Sequence, residues 1–202
     1  MIRYMVLLLL LSLSSPLLAN ARILDLAVLE DPEGRETIQS ISSPARSFRP
    51  LADNTFAGGF TRSIHWFRLR IEMPAGEWWL ELLPAVLDEL RLYEPAPGAP
   101  GDWRMRTTGD SFPFATREVR YRGFIFKLSS ETEGLHTYYL RLQTTSTSIL
   151  LPRIWAADEF ADMNVRETAL LTGGISVILT VFLLNLNTWL WLRDHQIGRA
   201  HV

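Results

Sequence analysis

The sequence has 202 residues, of which 48% are hydrophobic and none is cysteine, and its length fits one large or two small domains. Twenty Lys and Arg against 22 Asp and Glu give a formal charge of −2, so no broad basic field favours nucleic acid as a partner. The lack of cysteine excludes disulfides, thiolate nucleophiles and thiolate metal sites. The mean hydropathy of +0.08 is high for a soluble domain, and the hydrophobic excess lies at the two ends of the chain.

The first 21 residues have the pattern of a secretory signal peptide. One arginine precedes an apolar run over residues 5–13, and Pro16 is followed by small residues that end at Ala19 and Ala21. The apolar run is short for a membrane span, which needs about 20 residues. We therefore predict a signal peptide over residues 1–21, with an uncleaved N-terminal anchor as the alternative.

Residues 22–164 are predicted to form an all-β domain. Short runs rich in aromatic and aliphatic residues alternate with Pro, Gly and Asp clusters, at the spacing of strands in a β-sandwich. In the run 65–73, odd positions from 67 are apolar and even positions from 68 are charged, which is typical of a half-buried strand. Similar alternation in 89–93, 124–128 and 137–143 predicts two antiparallel sheets that share one core.

The second apolar end predicts a transmembrane helix. Residues 169–192 carry no formal charge, and as a helix they would extend about 36 Å, more than the ~30 Å hydrocarbon core. A helix is expected to begin within 156–166, so that residues 165–192 form a juxtamembrane segment and the span. Two tryptophans near the C-terminal end and the following Arg193 predict that the β-domain lies outside and the C-terminus inside.

Small and polar side chains in this span predict contact with other transmembrane helices. Thr172, Ser176 and Thr180 recur every four residues, and a stripe of small residues lets another helix approach closely. Asn185 and Asn187 prefer the interior of a helix bundle to bare lipid. The alternative for the two amides is that they reach the lipid headgroups.

Several strings in the predicted β-domain, in preserved order, resemble the extracellular domain of bacterial seven-transmembrane receptors with diverse intracellular signalling modules. The helix that ends at Leu192 likewise resembles the first span of those receptors. The strings that carry the resemblance are GFTRSIHWFR at 59–68, LDELRLY at 87–93, TGDSFPF at 108–114 with Arg117, Arg122 and Phe124, and YYLRLQ at 138–143 before Trp155.

The resemblance implies a jelly-roll-like β-sandwich, similar to carbohydrate-binding modules, in the periplasm of a bacterium whose inner membrane holds the receptor. It implies a sensor of a small molecule or carbohydrate that is not itself an enzyme and that acts through a helix bundle on a diguanylate cyclase, histidine kinase or related output. A homodimer is a further expected partner. The alternatives are a membrane-tethered carbohydrate-binding or carbohydrate-active module, and a module that docks another protein.

Residues 193–202 are expected to be a cytoplasmic stub in which the last six residues are not native. The string IGRAHV at 197–202 can be encoded by the start of a common sequencing-library adapter. We therefore expect the chain to be a fragment, with residues 197–202 derived from the adapter.

The predicted ligand-binding residues are of two chemical kinds. Exposed aromatic rings stack on sugars, and arginine binds anionic or sugar oxygens through planar paired donors. The alternatives are that the tryptophans pack in the core and that Asp110 pairs with an arginine to hold a loop. Because adjacent strand residues face opposite ways, Trp78 and Trp79 cannot both point into the same core. The predicted set is Arg62, Trp66, Trp78, Trp79, Asp110, Arg117 and Arg122.

No catalytic, metal or cofactor site is predicted. A glycosidase would need two carboxyl groups about 5 to 10 Å apart in a cleft, and the sequence spacing fixes no such pair, Asp88 and Asp110 included. His65 and His136 stand alone, without the spacing of metal ligands.

Overall fold

The structure is a computed structural model that describes residues 20–96, 98 and 101–199. Nearly all of the predicted signal peptide and the last three residues of the chain lie outside this range. The chain divides after Ala157 into a β-unit and a helical unit, which are described separately.

Ten strands in the described part of the β-unit form two antiparallel sheets, as the alternation predicted. In chain order they are β1 Arg22–Asp31, β2 Arg49–Pro50, β3 Phe56–Phe60, β4 Ile64–Met73, β5 Gly76–Leu83, β6 Glu89–Pro95, β7 Trp103–Thr108, β8 Phe124–Ser130, β9 Gly134–Gln143 and β10 Thr147–Ala156. The six-stranded sheet has the order β2-β1-β4-β9-β6-β7, and the four-stranded sheet has the order β3-β10-β5-β8. A short helix α1, Ile38–Ile41, lies between β1 and β2.

The main core lies between the two sheets. On β4 the apolar positions predicted to share a face, such as Phe67 and Ile71, are fully buried, whereas the charged positions between them are half-buried. The inward positions predicted on β6 and β9, such as Leu92 and Leu140, belong to the same cluster. Burial of these aliphatic and aromatic side chains is the principal force that holds the sheets together.

A second hydrophobic cluster, here called the outer core, covers the other face of the six-stranded sheet. The segment 32–48, which includes α1, contributes Ile38, Ile41 and Phe48 to it. The sheet contributes Ala27, Ile64, Trp66, Tyr93 and Tyr139. The sequence predicted only the shared core between the sheets, so the outer core is a new feature of the fold.

The helical unit is one long helix, α2, Ala157–Arg199. It begins directly after β10, within the range where a helix was expected to start. Residues 157–192 are long and apolar enough to cross a membrane, with a mean hydropathy of 2.1 in the most apolar window. The hydroxyls of Ser176 and Thr180 each bind the carbonyl oxygen four residues earlier on α2, at 2.8 Å.

Candidate ligand-binding sites

The seven predicted ligand-binding residues lie in five separate parts of the fold. Asp110, Arg117 and Arg122 belong to the connection between β7 and β8, and Arg62 lies in the turn between β3 and β4. Each of the three tryptophans lies on a different surface of the sheets, Trp66 in the outer core, Trp78 in the main core and Trp79 on the outer face of the four-stranded sheet.

Arg117 holds its own connection together. Its side chain is only 9% exposed and approaches Asp110 at 4.0 Å. Its Nη1 donates to the backbone oxygens of Tyr121 and Arg122, each at 3.0 Å, and its guanidinium carbon lies 4.7 Å from the centroid of the Phe124 ring. These contacts favour the loop-holding interpretation of Arg117 and Asp110 over direct ligand binding.

Trp66 and Trp78 do not offer ring faces to a ligand. Trp78 is 8% exposed, and its Nε1 donates to the backbone oxygen of Pro74 at 3.0 Å. Trp66 is 1% exposed and packs against Tyr93, with ring centroids 5.4 Å apart. The structure therefore favours packing for both rings, because stacking on a sugar requires an accessible face.

Trp79 lies on the outer face of the four-stranded sheet, opposite in direction to Trp78 as strand geometry predicted. It is half-buried and pairs across the strands with Trp155. Lys127 places its Nζ 5.7 Å from the centroid of the Trp79 ring, and the buried Glu81 accepts a hydrogen bond from Trp155 Nε1 at 2.9 Å. These four side chains form a surface of aromatic and charged groups, here called the Trp79 surface.

A cavity of about 470 Å³ opens between the β1–β2 edge of one sheet and β3 of the other. We call it the inter-sheet cavity. Phe56 and His65 contribute aromatic walls, with ring centroids 4.8 Å apart. Glu30 and Arg49 also line the cavity, and neither side chain makes a hydrogen bond or ion pair in the described part of the chain.

His65 is the most unusual group of the inter-sheet cavity. It is 4% exposed, and its Nδ1 is buried without a hydrogen-bond partner among the described residues. Burial lowers the pKa of His65, although the carboxylate charge of Glu30 and the backbone oxygen of Ser63 act in the opposite direction. A neutral imidazole has one donor and one acceptor nitrogen, and of the two the buried Nδ1 is the one without a partner among the described residues.

His65 was not among the residues predicted to bind a ligand, because it stands alone in the sequence, without a nearby histidine or carboxylate cluster. The signal that could have found it is the same period-two pattern that predicted β4. That pattern places His65 on the inward face with Phe67, so an imidazole at this position faces the space between the sheets.

Arg62 lines a smaller pocket of about 290 Å³ at one end of the sandwich. Asp88 and Glu89 face the same pocket. The side chain and backbone N–H of Thr145 bind Asp88 Oδ2 at 2.7 and 2.6 Å and lower the pKa of that carboxyl. No group of three or more His, Cys, Asp or Glu side chains that could hold a metal ion occurs within the described ranges.

Comparison with known proteins gives one match to the β-unit. A family model described as 7TMR-DISM extracellular 2 matches residues 24–156, which run from β1 to the end of β10 and make up about two thirds of the chain. A search of curated proteins found no match.

Proposed function

Because the chain belongs to the 7TMR-DISM extracellular 2 family, the extracellular sensor domains of seven-transmembrane signalling receptors, we propose that it senses a small molecule or carbohydrate in the bacterial periplasm. In this proposal residues 1–21 direct export, residues 22–164 form a jelly-roll-like sensor, and residues 165–192 cross the inner membrane. Residues 193–202 then lie in the cytoplasm. The sensor domains of this family are themselves non-catalytic.

The inter-sheet cavity is the proposed ligand site, and the unpartnered buried Nδ1 of His65 is the observation that carries this choice. A buried polar atom without a partner costs free energy, and a ligand that binds it would recover part of that cost. The cavity volume lies in the usual range for small-molecule sites. Aromatic walls and the uncommitted charges of Glu30 and Arg49 supply both apolar and polar contacts.

Signalling needs only that the ligand binds one receptor state more tightly than the other. Strand β10 continues into α2 without an intervening loop, so a change in the sandwich has a direct covalent route to the helix. We propose that α2 passes this bias to other transmembrane helices and to an output module of the receptor.

The proposal is tested by ligand binding to the full chain in lipid nanodiscs. Isothermal titration against panels of sugars, amino acids and short peptides should give at least one binder. Ala57→Trp should abolish its binding, because Ala57 lines the inter-sheet cavity. The matched control is Ala75→Trp in the exposed turn between β4 and β5, which should bind normally. A binder whose affinity is unchanged in Ala57→Trp would rule out this cavity.

The Trp79 surface supports a second candidate function, carbohydrate binding on the outside of the sandwich. Two neighbouring indoles beside a lysine are a suitable platform for a sugar ring. In that case Trp79→Ala, and not Ala57→Trp, would remove binding of a sugar in the same titrations. Two expectations from the sequence stay predictions: that the domain docks another protein, and that the chain forms a homodimer.

A further inference from the structure

Two arginines face each other on the outer side of the six-stranded sheet. Arg91 on β6 lies directly opposite Arg141 on β9, and like charges in such a pair destabilise a sheet. A single carboxylate serves both, since Glu89 Oε1 lies 2.6 Å from Arg91 Nε and 3.0 Å from Arg141 Nη1. The pair therefore holds more positive charge than the one carboxylate between them can balance.

Burial makes this arrangement costlier for Arg141. Its side chain is 14% exposed, and burial together with the charge of Arg91 lowers its pKa, against the opposing effects of Glu89, Tyr93 and Asp31. A charge removed from water is stable only when its hydrogen bonds are satisfied.

Trp66 adds an unsatisfied donor beside the two arginines. It lies on β4 in register with Arg141 and is almost fully buried. Its Nε1 finds no acceptor among the described residues, and an indole N–H can only donate. Trp66 thus adds a buried donor without an acceptor to a sheet face that already carries two neighbouring guanidinium groups.

A cavity of about 320 Å³ lies in front of these side chains, and the segment 34–39 forms its opposite wall. We call it the arginine pocket. Glu36 lines it too, but its carboxylate pairs with Arg46. The nearby Asp31 carboxylate accepts two backbone N–H groups of the following turn, at 3.1 and 3.0 Å. These contacts occupy the carboxylate oxygens of Glu36 and Asp31, and Arg141 Nη2 donates to Gln143 Oε1 at 3.0 Å. The donors left without an acceptor among the described residues therefore include the terminal nitrogens of Arg91 and the Nε1 of Trp66.

We propose that the arginine pocket binds the oxyanion of a small acid, either a carboxylate or a phosphate. The terminal nitrogens of Arg91 and the Nε1 of Trp66 donate to its oxygens, and the anion offsets the repulsion between Arg91 and Arg141. Tyr93 provides an aromatic wall for the body of the acid. This site is additional to the inter-sheet cavity, because it lies on the opposite face of the six-stranded sheet.

The test is isothermal titration of the full chain in phosphatidylcholine nanodiscs with succinate, inorganic phosphate and the neutral dimethyl succinate. Succinate, phosphate or both should bind, and dimethyl succinate should not. Arg91→Gln should weaken the affinity at least about tenfold, and Trp66→Phe about threefold to tenfold, since one hydrogen bond to a charged group is removed in each case. Arg70→Gln is the control, because Arg70 lies on the same face of β4 and pairs with Asp25 at 3.4 Å.

Arg91→Gln is more informative than Trp66→Phe. The Arg91 side chain is half-exposed, so its loss leaves the packing intact. Circular dichroism of each variant confirms folding, and Ala57→Trp should keep full oxyanion affinity even where it abolishes binding in the inter-sheet cavity. The ratio of succinate to phosphate affinity identifies the kind of acid. Failure of both anions to bind the wild-type chain would overturn the proposal, as would equal losses in Arg91→Gln and Arg70→Gln.

Discussion

Arg117 stabilises the connection between β7 and β8 by a geometry that lysine cannot reproduce. The carbon of its planar guanidinium lies 4.9 Å from the centroid of the Phe114 ring and 4.7 Å from that of Phe124, while Nη1 donates to backbone oxygens. Arg117→Lys keeps the charge but loses the stacking and at least one hydrogen bond, so we expect the free energy of unfolding to fall by about 1 to 3 kcal/mol. Chemical denaturation of the full chain measures this change.

The control for this prediction is Arg120→Lys, because Arg120 is exposed and makes no hydrogen bond or ion pair in the described part of the connection. Its free energy of unfolding should stay within about 0.5 kcal/mol of the wild type. Equal losses in both variants would contradict a specific role for the Arg117 guanidinium.

His65 should make the stability of the sandwich sensitive to acid. Burial lowers its pKa below the ordinary value of 6.5, so the unfolded chain takes up a proton before the folded chain does. The free energy of unfolding should therefore fall as the pH decreases from about 6.5 through the folded-state pKa, and become level again below it. His65→Gln should remove this part of the slope in denaturation curves measured at several pH values.

The matched control is His136→Gln, which removes the other histidine of the sandwich and leaves His65 in place. The acid-dependent loss due to His65 should persist in that variant. A wild-type slope that survives in His65→Gln would show that another group is responsible.

The strand pattern was predictable from the sequence. The segment that covers the outer face of the six-stranded sheet was not. Alternation on β4 correctly placed Phe67 and Leu69 between the sheets, because the period of two is a property of any strand. The segment that buries Trp66 contains a helix of only four residues, too short to show a helical period. Its capping box, in which Thr37 and Ser40 bind each other's backbone N–H, gives only a weak local signal.

Gly109 fixes the start of the connection between β7 and β8. Its φ is +149°, and a Cβ at this position would overlap the backbone oxygen of Asp88. Gly109→Ala should therefore lower the free energy of unfolding by at least about 2 kcal/mol, since both backbone strain and overlap must be relieved. Thermal unfolding followed by circular dichroism is a suitable measurement.

Gly101→Ala provides the comparison, because Gly101 also has a positive φ, +94°, but no atom of the described residues lies within 4 Å of the position that a Cβ would take. Gly101→Ala should lower the free energy of unfolding by about 1 kcal/mol, because only the backbone conformation is strained. A loss in Gly109→Ala no larger than in Gly101→Ala would mean that the close approach to Asp88 is tolerated.

The stripe of small residues on α2 gives weaker support for neighbouring transmembrane helices than its spacing suggests. Ser176 and Thr180 satisfy their hydroxyl groups on the backbone of α2 itself, so neither needs a hydrogen-bond partner on another helix. Asn185 Nδ2 likewise donates to the Val181 oxygen, at 2.8 Å. What remains of the prediction of neighbouring helices is the close approach that small side chains permit, the preference of the Asn187 amide for a bundle interior and the membership in a family of seven-transmembrane receptors.

The candidate sites depend on strand order, which local sequence patterns do not reveal. Arg91 and Arg141 are fifty positions apart in the chain and meet because β6 pairs with β9. The residues predicted to bind a ligand were chosen by residue type, and Trp66 and Arg62 were among them. The period of two shows that Trp78 and Trp79 face opposite ways, but which of the two faces the other sheet buries follows from the strand order.

The orientation of the whole chain can be tested with single cysteines, because the chain contains none of its own. If residues 22–164 lie in the periplasm, Ala75→Cys in the exposed turn between β4 and β5 should react in intact cells with a maleimide that cannot cross the inner membrane. Gln196→Cys, beyond the apolar stretch of α2, should react only after that membrane is permeabilised, since the flanking Arg193 favours the cytoplasmic side. Mass spectrometry quantifies both reactions, and the reverse labelling pattern would invert the proposed topology. Labelling of both positions in intact cells would instead show that α2 does not span the membrane.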